Sequence, residues 1–122
     1  MLAKNARRRS LEFAQLCACC TTQQLADEFY AWNGGGAEVD HIVALKAAEL
    51  LGLKGAHCRK NLRLYTTADH KAKTRLDGRL IRQLKRQPAL RLQMTWAHYC
   101  EHEPRAAEFL EAFAPSFCAL AA

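Results

Sequence analysis

Apolar side chains recur at close to helical spacing along the N-terminal segment. Leu2, Ala6, Leu11, Ala14, Leu25, Phe29 and Tyr30 predict helix over residues 2–31, broken near Cys17–Thr22. The run Asn33-Gly34-Gly35-Gly36 stops that pattern, since glycine reaches the positive-φ backbone that a sharp exit needs. From Ala37 to Val43 the period shortens to two. Val39 and His41 fall on one side and Asp40 and Ile42 on the other, as in a short strand. A brief apolar run over 44–51 closes at Gly52 and Gly55. Asn61–Tyr65 then sets Leu62 and Leu64 against Arg63 and Tyr65 and predicts a second strand.

A long helix follows. Thr66 with Asp69 three residues later resembles a capping box, with Asp in place of the usual Glu or Gln. Pro88 ends or kinks this helix, a further helix covers about 89–100, and Pro104 opens a last one to about 113. At ~100° per residue, Lys71, Arg75, Arg79, Arg82 and Arg86 fall within roughly 80° of one another. Ala72, Leu76, Leu80 and Leu84 make an apolar stripe on a different side, with His70 near its edge and close to the strand pair. The expected fold class is α+β. One domain spans 1–122, with an N-terminal helical segment (1–33), a small strand-pair-and-helix core (37–75) and a C-terminal helical segment (89–122).

The chain has 122 residues, which suits one domain with a modest core. Its 18 Lys and Arg against 12 Asp and Glu give a net charge of +6. The excess is concentrated. Residues 59–91 hold eleven basic side chains opposed only by Asp69 and Asp77, whereas 92–122 is mildly acidic. Such a block points to a polyanionic partner. No stretch approaches the ~20 apolar residues of a membrane helix. The segment after Lys4, Arg7, Arg8 and Arg9 is too short and polar for a signal peptide. A cytoplasmic location follows as the expectation, with the six cysteines as reduced thiols.

The chemistry-bearing residues are Asp40-His41, Asn61 and His70. They sit in Glu38-Val39-Asp40-His41-Ile42-Val43-Ala44-Leu45, then Asn61-Leu62-Arg63-Leu64, then Asp69-His70-Lys71-Ala72-Lys73-Thr74. This order resembles the HNH endonuclease family: an acid plus His on a strand, an Asn further on, and a His opening a helix. The nine-residue step from Asn61 to His70, Lys73-Thr74 after that His, and His57 four residues before the Asn also resemble phage-type members. The likeness covers about 37–75 and implies a ββα-metal core of two antiparallel strands and a helix, in a bacterial or phage-infected host cell.

Phosphodiester hydrolysis needs an activated water and a counter-charge for the transition state. His41 has the intrinsic basicity to take the water's proton. Asp40 is a hard ligand and His70 an imidazole ligand for a divalent ion, Mg²⁺ or Mn²⁺ foremost, with Zn²⁺ or Ni²⁺ as alternatives. The resemblance implies that Asn61 fixes the loop and orients the base. Arg59, Lys60, Arg63, Lys71, Lys73, Arg75, Arg79 and Arg82 are the expected contacts to DNA phosphates, with RNA not excluded. The rival expectation is a nucleic-acid-binding protein that keeps the fold without cleaving.

Two departures stand out. Thr66 and Asp69 occupy positions where many members carry a zinc-binding cysteine pair, so that zinc site is expected to be absent. Cys17 and Cys20 have zinc-ligand spacing but no second pair, and read as buried thiols on the N-terminal helix. Ala44 stands where the family often has proline. His98 and His102 lie four apart without the following Glu of a metalloprotease, and read as helix-surface histidines.

Overall fold

The structure, a computed structural model, describes residues 2–32 and 36–114. The glycine-rich stop over 33–35, Cys118 and the stretch 115–122 lie outside the described residues. The fold is α+β. Helix α1 (Leu2–Ala14) and α2 (Thr22–Trp32) precede β1 (Ala37–His41) and the short α3 (Leu45–Leu50). A 3-10 turn at Arg59–Asn61 leads into β2 (Leu62–Thr66) and the long α4 (Thr67–Arg86), and a second, at Pro88–Leu90, follows. Then α5 (Arg91–His102) and α6 (Pro104–Phe113) complete the chain. The two strands pair antiparallel, with Asp40 opposite Arg63 and His41 opposite Leu62.

Local chemistry explains most boundaries. The Thr66 hydroxyl oxygen accepts the backbone N–H of Asp69 at 3.1 Å, a side-chain cap that starts α4 directly from β2. Pro88 cannot continue a helix, and α4 stops at Arg86. Gly52 (φ 75) and Gly55 (φ 93) let the chain turn back after α3. Both strands differ slightly from the pattern-based expectation. β1 ends at His41 because Ile42 and Val43 leave the ladder for the core, and Asn61 belongs to the 3-10 turn, not to β2.

The main core joins Ile42, Val43 and Ala47 to Leu80 and Leu84 of α4, Tyr99 of α5, and Ala106 and Leu110 of α6. A smaller cluster of Leu45, Ala48 and Ala56 packs on Leu11 of α1. Ala44 explains its own identity. Its backbone N–H donates to the hydroxyl of fully buried Tyr99 at 3.1 Å, and proline has no such hydrogen.

Asn61 ties the hairpin together. Its amide nitrogen donates to the carbonyls of Val43 (3.0 Å) and Ala56 (2.9 Å), and its amide oxygen accepts from Val43 N–H (2.8 Å). Its own carbonyl accepts from Ile42 N–H at 2.7 Å. The side chain is fully buried, so no water can replace these bonds. Asn61→Ala should therefore destabilise the fold by at least about 2 kcal/mol, because buried Val43 and Ala56 backbone groups lose their partners. Urea unfolding of the two proteins measures this directly.

Candidate functional site

The two-residue period of β1 places Glu38 and Asp40 on one face, and α4 brings His70 and Lys73 up to it. His70 bridges both carboxylates. Its Nδ1 lies 2.8 Å from Glu38 Oε2, and its Nε2 lies 3.4 Å from Asp40 Oδ2. A histidine that gives one ring N–H to a carboxylate is held in one tautomer, with the other nitrogen directed as a ligand. Asp40 and His70 are both part-exposed beside a cleft of about 580 Å³, which Arg8, Glu12, Glu38, His41 and Lys46 also line. Asp40 Oδ2 and His70 Nε2 are the two atoms of this group that could face a cation.

Lys73 does not sit where a phosphate contact was expected. It is buried, with Nζ 3.3 Å from Asp40 Oδ2 and 2.5 Å from Asp77 Oδ2. Position 73 falls on the packed side of α4, and an ammonium there needs paired carboxylates to offset its lost hydration. Burial pushes the Asp77 carboxyl up to about 6, against the pull of Lys73. Arg63 is likewise committed: its Nη1 donates to both Glu103 oxygens, at 3.1 and 3.0 Å. The Tyr65 hydroxyl donates to the same carboxylate. The remaining expected phosphate contacts, Arg59, Lys60, Lys71, Arg75, Arg79 and Arg82, are exposed, with Arg59 3.7 Å from Glu28.

His41 points away from Asp40's partners, as adjacent strand residues must. It is 8% exposed, and its Nε2 lies 2.8 Å from Nδ1 of buried His57. His57 Nε2 in turn lies 3.7 Å from Glu12 Oε2 on α1. The backbone of His57 is fixed by a parallel bridge: its N–H donates to Gln15 O (2.8 Å), and its carbonyl accepts Cys17 N–H (3.1 Å). Burial pushes His41 down to about 3, His57 reinforcing and Asp40 opposing; burial also lowers His57. His98 and His102 share a face of α5 with ring centroids 4.9 Å apart, and burial pushes His98 down to about 4.

The cysteines differ most from the sequence expectation. Cys17, Cys19 and Cys20 lie in the turn between α1 and α2, not on a helix, and Cys58 joins them from the loop before β2. All four sulfurs lie within 4.8 Å of one another, so the group could hold a metal ion. The missing partner was Cys58, 38 residues beyond Cys20 and invisible to a local spacing rule. Hydrogen bonds from Cys17, Cys58 and Cys20 hold the Cys19 thiol below its ordinary range, whereas burial raises Cys17 and Cys58.

Glu38, Glu12 and Asp77 also escaped the sequence reading. Glu38 had a signal, since it is two residues before Asp40 and must share its strand face. Glu12 reaches His57 only through tertiary packing. Comparison with protein-family models, curated proteins and solved structures finds no match to this chain. No helix among the described residues is long and apolar enough to cross a membrane.

Both buried histidines titrate below the ordinary value of 6.5 in the folded chain, His41 at about 3. Between these values the unfolded chain binds more protons, so stability is full above 6.5 and is lost as pH falls. The limiting slope is about 1.4 kcal/mol per pH unit for each such histidine. Urea unfolding in EDTA should show this decline, and His41→Gln should remove about one histidine's share. An unchanged slope would show that His41 is not sheltered in solution.

Proposed function

We propose that this chain is a metal-dependent HNH-type endonuclease that hydrolyses or nicks DNA phosphodiester bonds. The observation that carries this reading is the convergence of Asp40 from β1 and His70 from the first turn of α4, 3.4 Å apart, with His41 beside them on the same cleft. The resemblance at 37–75 supplies the reaction class.

Asp40 and His70 would hold Mg²⁺ or Mn²⁺, and Glu38 would orient His70. Such an ion, when bound, supplies Lewis acidity and counter-charge at the scissile phosphate. His41 acts as the general base, and His57 fixes its ring through the 2.8 Å hydrogen bond. Asn61 acts through structure, fixing the turn that follows His41. Lys60, Lys71, Arg75, Arg79 and Arg82 form the backbone-phosphate grip, sequence-independent and salt-sensitive.

A second reading, a nucleic-acid-binding protein without cleavage, draws on one specific feature. Lys73 already stands 3.3 Å from Asp40 Oδ2 and competes with a cation there. Plasmid nicking with Mg²⁺, Mn²⁺ or EDTA separates the readings. Cleavage should need the metal and fall by about 10²- to 10⁴-fold in His41→Ala, with DNA binding kept. Equal behaviour of wild type and His41→Ala in every metal would dismiss the nuclease. In a binding assay, the double change Arg75→Ala and Arg79→Ala should lower the slope of log K against log salt by about 2.

A further inference from the structure

The turn between α1 and α2 has little to hold it. It contributes Leu16 and three cysteines, and its fixed points are the bridge to His57 and the Gln15 side chain, which bonds Leu53 O and Ala56 N–H. Against this thin scaffold four sulfurs crowd together. Cys19 Sγ is the hub, 3.3 Å from Cys17, 3.8 Å from Cys20 and 3.6 Å from Cys58. None of the four is in a disulfide. Tetrahedral zinc with Zn–S of about 2.3 Å requires sulfur–sulfur edges of about 3.8 Å. The observed separations match that figure far better than they match a disulfide bond of about 2.05 Å.

We propose that Cys17, Cys19, Cys20 and Cys58 bind one zinc ion, which clips the α1–α2 turn to the loop that carries His57. The donor set is all-sulfur and closed, so the ion is structural. On binding, the four thiols release their protons to solvent and leave a dianionic centre, and Lys60 supplies positive charge close by. The ligands come from two segments that the bridge to His57 and the Gln15 side chain already bring together. The ion therefore links two positions separated by 41 in sequence, Cys17 and Cys58, and fixes Cys58 directly beside His57. The proposal is independent of any cleavage activity.

The full chain, purified under reducing conditions, should contain one zinc per molecule by elemental analysis. Cobalt added to the zinc-free protein should give intense thiolate-to-cobalt charge-transfer and tetrahedral ligand-field bands. Cys19→Ser and Cys58→Ser should weaken zinc binding by more than the roughly 10–100-fold that loss of an outer-shell partner costs. Cys100→Ser should leave it unchanged. Cys58→His, which keeps a ligand, should restore metal binding and shift the cobalt spectrum, so a misfolded serine variant does not decide the outcome. Zinc should also raise hydrogen-exchange protection over 15–20 and 56–61. A folded, reduced wild type without zinc or tetrahedral cobalt bands overturns the proposal. So does iron in place of zinc, or cobalt bands unaffected by both Cys58 variants.

Discussion

The amide of Asn61 is the point through which both arms of the strand pair are held. The connection from β1 to β2 is twenty residues long and contains α3 and two glycine turns. A loop of that length does not by itself set strand register. Asn61 does so by bonding Val43 on the way out and Ala56 on the way back, so the long connection behaves like a tight one. Because the side chain is buried, each bond works without competition from water. The facing of Asp40 towards α4 and of His41 towards His57 follows from that register.

The site also depends on how buried charge is matched. Asp40, Asp77 and Lys73 form a chain of one cation between two carboxylates, and Glu103 answers Arg63 and Tyr65 nearby. Such groups gain little net stability over apolar packing, but removing one member leaves another exposed to a low dielectric alone. Asp40 thus has two kinds of partner, a lysine that is always present and a histidine that leaves room for a cation. On the other face of β1, the histidine pair shares one proton across 2.8 Å, a geometry that favours the neutral rings.

Much of the framework could be read from periodicity and end signals. The break near Cys17, the Thr66 cap, the stop before Pro88 and the start at Pro104 all depend on neighbours within four residues. The shared face of Leu80 and Leu84 followed from helical angle. What escaped was set by residues far apart in the chain. Helical angle put Lys73 on the apolar side of α4 but gave no sign of the Asp40 carboxylate that β1 brings to it. Arg63 looked like a phosphate ligand until the α5–α6 junction brought Glu103 against it. Cys58 looked solitary because its neighbours in space come from before β1. Asp77 is four residues from Lys73 on the same helix, but Asp40, Glu103 and the three turn cysteines are delivered by packing, which a local pattern does not encode.

The bond from Ala44 N–H to Tyr99 carries a consequence for sequence variation. It links the turn after the strand histidine to the last turn of α5, 55 residues away, through the hydroxyl of a buried tyrosine. The two positions are therefore not free to drift separately. A chain of this architecture that acquires proline at position 44 removes the donor to a buried phenol, and phenylalanine at position 99 removes the oxygen that would be left wanting. Alanine with tyrosine and proline with phenylalanine are thus the two self-consistent pairings. Either mixed combination, proline with tyrosine or alanine with phenylalanine, leaves one polar group without its partner, so the two positions change at least cost together.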